Sequence, residues 1–186
     1  MFLPLVGEKF EETINQMIDV RGLILDIRGN RGGMLEIGEL IASKLVQKPT
    51  LFYVFRYRDR KEEVIVQPDD ICYTGPVVIL VDDQCASACE RFAACFQSID
   101  RGIVIGERTR GTVGPSKVMV LPNGVSFQYL TSQSLTPDGI VLEGRGVIPD
   151  IAVNLTREDL LDGKDAPIET AIEYILREQK NHNNKQ

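Results

Sequence analysis

Apolar residues gather in this chain in short blocks parted by polar or glycine-rich turns, and the spacing inside each block predicts alternating strands and helices. Met1-Phe2-Leu3-Pro4-Leu5-Val6 reads as a strand already under way, and Phe10, Ile14, Met17 and Ile18 follow at helical spacing across residues 10–20. Gly22 to Arg28 predicts a strand ending in charge, Gly29-Asn30-Arg31-Gly32-Gly33 a tight loop, and Leu35 to Val46 a helix behind it. Residues 51–57 and 62–67 predict two strands around the charged turn Arg58-Asp59-Arg60-Lys61, a hairpin or an excursion from the main sheet. Gly75-Pro76 opens an apolar run from Val77 to Val81 that closes on Asp82 and Asp83, the pattern of a strand buried on both faces of a parallel sheet. From Ala86 the positions Cys89, Phe92, Ala93 and Phe96 recur at three and four residues, so the chain turns into an amphipathic helix. A short buried strand is expected over Gly102–Gly106. Val118 to Leu135 reads as two antiparallel strands turning at Pro122-Asn123-Gly124. Ala166 to Gln179 reads as a helix with Pro167 in its first turn. Strand and helix alternating over short connections define an α/β domain. One domain is expected over residues 1–180, with a polar tail at 181–186.

Composition sharpens this picture mainly by exclusion. A chain of 186 residues, 43% hydrophobic and 26% charged, can bury a proper core in a single domain. Its net charge of −6 argues against nucleic acid or an anionic membrane as the main partner, and no apolar run approaches the length of a membrane span. Four cysteines do not make a disulfide framework in this length; Cys85 and Cys89 stand one helical turn apart in a segment that reads as core, and are expected to be buried thiols. The single histidine, His182, lies among Asn, Lys and Gln, so no zinc site is expected. The first residues lack the basic, apolar and small-residue sequence of a signal peptide. The expectation is that the chain is a piece of a longer protein.

Candidate chemistry centres on Cys85-Ala86-Ser87-Ala88-Cys89-Glu90, where the buried strand gives way to the helix. Ser87 would lie at a helix N-terminus, where free backbone N–H groups and the positive end of the dipole favour a developing oxyanion. The same position also suits a plain N-cap. The glycine loop at 29–33 lacks the Lys-Ser/Thr ending of a phosphate loop and the spacing of a dinucleotide fingerprint. Its paired glycines could present N–H groups to an oxyanion or form an ordinary strand-to-helix turn.

Taken together and in order, these stretches resemble the C-terminal processing, or tail-specific, serine peptidase family. The likeness runs through Gly22-Leu23-Ile24-Leu25-Asp26-Ile27-Arg28-Gly29-Asn30-Arg31-Gly32-Gly33, through Val78 to Glu90, and through Gly106-Glu107-Arg108-Thr109-Arg110-Gly111. It continues in Leu121-Pro122-Asn123-Gly124, in Glu143-Gly144-Arg145-Gly146-Val147-Ile148-Pro149-Asp150-Ile151, and in Asp162-Gly163-Lys164-Asp165-Ala166. The resemblance implies a fold of the Clp protease and crotonase group, a spiral of βαβ units with a mostly parallel sheet. It implies Ser87 as the nucleophile, with the oxyanion met by N–H groups of Ala88 and of Gly32 or Gly33.

In the bacterial processing branch a buried lysine serves as the base, directly after a Thr-Phe-Gly sequence. This chain reads Thr109-Arg110-Gly111-Thr112, so Thr112 stands in the lysine's place. Lys117 is expected to be a solvated strand residue, and Arg108 and Arg110 stay charged. Glu143 resembles the glutamate of the tricorn-like branch, where the serine is served by a histidine carried outside the core, beyond a peptide-binding PDZ domain. The resemblance therefore implies a serine peptidase core that needs no cofactor and acts on peptide or protein substrates, including C-terminal tails, with homo-oligomers left open. A degenerate domain that binds peptide or a hydrophobic ligand, as in the related retinoid-binding proteins, is the alternative. The family implies a periplasmic, cell-envelope or secreted setting, while the unpaired cysteines suit a reducing compartment as well.

Overall fold

The computed structural model describes the backbone of residues 1–183 and the side chains of residues 1–181. Most of the tail expected at 181–186, and the side chain of His182, lie outside the described residues.

The start of the chain departs from the expected strand. Only Phe2 pairs, in an isolated parallel bridge with Gly33, and helix α1 (Pro4–Ile14) begins at once. The reason is local: Pro4 occupies the first helical position, where its preset φ fits and its missing N–H is no loss. Phe2 itself is buried, edge-on to Phe92 with ring centres 5.5 Å apart.

Strand β1 (Leu23–Asp26) leads through the glycine loop into α2 (Leu35–Ser43). The expected hairpin follows as β2 (Thr50–Arg56) and β3 (Lys61–Val66), paired antiparallel. Next come β4 (Val77–Val81), α3 (Ala88–Ser98) and β5 (Ile103–Gly106). The Asn-Gly hairpin forms between β6 (Ser116–Val120) and β7 (Ser126–Leu130), with Gly124 at φ 83°. The second strand expected up to Leu135 does not continue, however. The chain bends at Thr131, whose N–H donates to the Pro115 carbonyl, and β8 (Gln133–Leu135) leaves the hairpin to pair with β2. The end adds β9 (Ile151–Ala152), α4 (Arg157–Leu161) and α5 (Ala166–Asn183). The short α4 was not expected, although Thr156-x-x-Asp159 writes its capping box in the sequence.

A four-stranded parallel sheet, ordered β1-β4-β5-β9, forms the spine. All five residues of β4 are buried because both faces of the sheet are covered. Val77, Ile79 and Val81 face a core that includes Phe52, Phe92 and Phe96, whereas Val78 and Leu80 face Ala171 and Ile175 of α5. The second sheet, ordered β3-β2-β8, is antiparallel, and β6-β7 stands apart with every residue exposed. No helix among the described residues is long and apolar enough to cross a membrane. In such a sheet, sites form beyond the carboxyl ends of the strands, and here the pairing of Asp26 with Leu80 brings the loops after β1 and β4 together.

Candidate active site

Ser87 sits at φ 60°, ψ −124°, a backbone conformation that costs a non-glycine residue roughly 1–3 kcal/mol and persists only when its surroundings enforce it. The enforcing contacts are visible. The Ser87 N–H donates to the Thr112 carbonyl at 2.9 Å and to Glu90 Oε2 at 3.1 Å. Ala86 N–H donates to the Asn30 carbonyl, and Arg110 N–H to the Cys85 carbonyl. Ser87 and Glu90 stand in a capping-box arrangement at the head of α3, and the Glu90 N–H donates to the Ser87 carbonyl at 3.1 Å. Glu90 in turn reaches back to the Ser87 amide. The side chain of Ser87 is half-buried.

Two acidic side chains hold the loop that faces this turn. Glu90 is fully buried and accepts from the Thr109 hydroxyl, from Gly111 N–H at 2.6 Å and from Thr112 N–H at 3.0 Å, besides Ser87. Glu143, through Oε2 alone, accepts from Val113 N–H at 2.8 Å and Gly114 N–H at 2.6 Å. Four consecutive amides, 111 to 114, are therefore fastened by two carboxylates. No hydrogen bond joins Glu143 to Ser87 among the described residues; the strip 111–114 links them, and Glu143 Oε1 is left without a partner among the described residues.

The glycine loop closes the other side. Asp82 accepts from Gly29, Gln84 and Cys85 amides, binding the loop to the turn that follows β4. Arg28 pairs with Asp26 and with Asp165 at the head of α5, which holds the Asp165 carboxyl below the usual carboxylate range and raises the Arg28 guanidinium. The buried Asn30 accepts the Gly32 N–H on its side-chain oxygen at 2.9 Å. Of the loop amides expected to meet an oxyanion, that of Gly32 is thereby occupied, while that of Gly33 has no acceptor among the described residues. The Ala88 N–H is unengaged as well.

Cys85, Cys89 and Cys95 are buried and unpaired; burial pushes the Cys95 thiol up, and the Cys85 contact with burial does so for Cys89. Among the described residues no three His, Cys, Asp or Glu side chains gather as a metal set. Lys117 is exposed on β6, and Lys44 is engaged by Asp69 and Glu11. Asp82, Asn30 and Glu90 were not singled out from sequence. The signal for Glu90 was present, since Ser87-x-x-Glu90 has capping-box spacing; Asn30 and Asp82 act through contacts that only the fold creates.

Comparison with known proteins agrees on one family. The family model described as Peptidase family S41 matches residues 2–153. The chain is 31% identical over 135 residues to a chloroplastic C-terminal processing peptidase of Tetradesmus obliquus, covering 73% of this chain and 29% of that protein. It is 35% identical over 160 residues to a protein of Sulfurisphaera tokodaii named as a tricorn-like protease C-terminal subunit, covering 84% of this chain and 18% of that one. Among solved structures, a peptidase from Parabacteroides merdae superposes with a TM-score of 0.83 at 28% identity, covering 91% of this chain and 56% of its own. The chain thus spans less than a third of the length of either curated relative.

Proposed function

The chain belongs to peptidase family S41, and on that footing we propose that it is the core of a serine peptidase in which Ser87 attacks the peptide carbonyl. The observation that carries this reading is the Ser87 turn: a strained backbone at the head of α3 and an adjacent Ala88 N–H with no acceptor among the described residues. In the reaction Ser87 Oγ bonds to the carbonyl carbon while its proton passes to a base. The carbonyl oxygen gains charge and is met by the Ala88 and Gly33 amides, an interaction that strengthens as the transition state is reached. The amine leaves with the proton, and water then releases the acyl group from Ser87 by the reverse sequence.

The base is supplied from outside this chain, a histidine on the tricorn-like pattern, with Glu143 as its orienting group. Glu143 is suited to this because Oε2 is anchored by two amides while Oε1 is free to accept from an imidazole N–H. The substrates are peptides or proteins, cut near their C-terminal tails, in a periplasmic or cell-envelope setting; assembly into homo-oligomers belongs to the same proposal.

A second reading has one observation in its favour. Thr112 occupies the position where a lysine base would stand, while Lys117 is exposed on β6 and Lys44 is engaged by Asp69 and Glu11. On that reading the domain binds peptide or a hydrophobic ligand without cutting it. Peptide turnover by a form extended upstream of Met1 separates the two. The peptidase reading predicts cleavage that is abolished in Ser87→Ala and reduced in Glu143→Gln; saturable peptide binding without turnover supports the second.

A further inference from the structure

Among the described residues four buried side-chain polar atoms have no hydrogen-bond partner: Arg91 Nε, Arg91 Nη1, Ser132 Oγ and Ser134 Oγ. They belong to one place. The Arg91 guanidinium carbon lies 5.4 Å from the centre of the Phe55 ring, and Phe55 on β2 is the cross-strand partner of Ser134 on β8. Paired residues of an antiparallel ladder project to the same face, so Arg91 and Ser134 flank one ring. Ser132 stands two residues before Ser134, at the entry to β8.

Arg91 is 4% exposed, and its one hydrogen bond runs from Nη2 to the Val113 carbonyl at 2.6 Å. No carboxylate lies within ion-pair distance of it among the described residues. Of the acids whose charge it feels, Glu90 holds the 111 and 112 amides with its two oxygens, and Glu143 holds the 113 and 114 amides with Oε2 and is not paired with Arg91. Burial accordingly disfavours the guanidinium's charge. A buried cation with unfilled donors, beside two hydroxyls that can also donate, is a setting that an anion would complete.

The location gives the anion its identity. Arg91 follows Ser87 by one turn of α3 and so lies on the same side of the helix, where side chains lean toward the N-terminus and hence toward Ser87. Its one acceptor, Val113, adjoins Thr112, whose carbonyl holds the Ser87 amide. We propose that Arg91, with Ser132 and Ser134, forms a specificity site that takes a peptide carboxylate at the catalytic turn. An acidic side chain of the residue whose carbonyl Ser87 attacks, and a chain-terminal carboxylate, are its two sources. The inference rests on the peptidase reading for the identity of the peptide, although carboxylate binding itself needs no chemistry at Ser87.

The test uses the 186-residue chain labelled with ¹⁵N, reading the Arg91 Nε–H and Val113 amide resonances during titration. Three probes are compared: N-acetyl-glutamate amide, with only a side-chain carboxylate; N-acetyl-alanine, with only a terminal one; and N-acetyl-glutamine amide, a neutral isostere. A saturable shift with either carboxylate and none with glutamine supports the site, and the stronger of the two identifies the source. No shift with either carboxylate, or an equal shift with glutamine, overturns it. In Arg91→Met, which fills similar space without charge, the Val113 response disappears with the melting temperature retained; Arg91→Lys weakens it about 10- to 100-fold, as expected for lost charge-assisted hydrogen bonds. Carboxylate binding that persists when Ser87 proves unreactive would sink the peptidase reading alone, and a reactive Ser87 without carboxylate binding would sink this inference alone.

Discussion

Gly32 lies so close to Ser87 that a Cβ on it would stand 2.7 Å from the Ser87 Cβ and 2.9 Å from the Ala86 carbonyl oxygen. The loop after β1 and the turn after β4 are therefore in direct backbone contact, and the requirement for glycine at position 32 comes from this approach as well as from its φ of 96°. Gly32→Ala is expected to destabilise the fold by about 2 kcal/mol and to displace the Ser87 turn, since neither neighbour is a flexible side-chain end. Gly29→Ala, in the same loop at φ 68° but with open space around it, is the control, and should cost only about 1 kcal/mol. Urea unfolding of both variants measures the difference.

Glu90 is the hub of the site. Its four hydrogen bonds come from donors, three of them backbone amides, so an acceptor-only carboxylate is required. Glu90→Gln keeps the volume but turns an amide nitrogen toward groups that themselves donate. A loss of about 3 kcal/mol is expected in denaturant unfolding, together with release of the 109–112 strip seen as faster amide exchange at Gly111 and Thr112.

Arg28 and Asp165 supply a pH-dependent clamp between the glycine loop and α5. The hydrogen bond from Arg28 is the main cause of the lowered Asp165 value. A carboxyl that is lowered on folding stabilises the fold above its unfolded value, near 4, and loses that contribution as pH falls through its lower folded value. Wild type should therefore melt above Asp165→Asn at pH 7, and the gap should close as pH falls from near 4 through the lower folded value. Both partners are partly solvated, so the gap is at most about 1 kcal/mol.

Thr112 is exposed and its carbonyl holds the Ser87 amide, which makes it the natural place to restore a base within this chain. Thr112→Lys is expected to raise the reaction of Ser87 with a fluorophosphonate at least 10-fold over the unmodified chain, on the precedent the Ser-Lys resemblance supplies. The rise should appear with increasing pH as the amine loses its proton. It should vanish in the Ser87→Ala, Thr112→Lys double variant.

Much of this was written in local sequence. The apolar run of β4 bounded by Gly75-Pro76 and Asp82-Asp83, the Asn-Gly turn of β6-β7 and the helical spacing of α3 all gave their elements, because period and turn chemistry act within a few residues. The first residues misled because Leu3, Leu5 and Val6 carry no periodicity that separates strand from helix, and Pro4 decided the matter by starting a helix. Residues 133–135 were misassigned because β8 finds its partner in β2, some 80 residues earlier, a pairing no local signal could announce. At the site the same division holds. Ser87, the glycine loop and Glu143 could be picked out along the chain, while the engagement of Gly32 by Asn30 and the shared grip of Glu90 and Glu143 on four successive amides exist only once the loops have met.

The central claim, that Ser87 is a nucleophile awaiting a base from beyond this chain, is met most directly by mapping a fluorophosphonate adduct. A form of the protein extended upstream of Met1 is treated with the probe and its labelled peptide located by mass spectrometry, beside Ser87→Ala. The account predicts one adduct, on Ser87, absent from the alanine variant and much slower to form on residues 1–186 alone. An extended protein that binds peptide and stays folded but takes no label at Ser87 would contradict it.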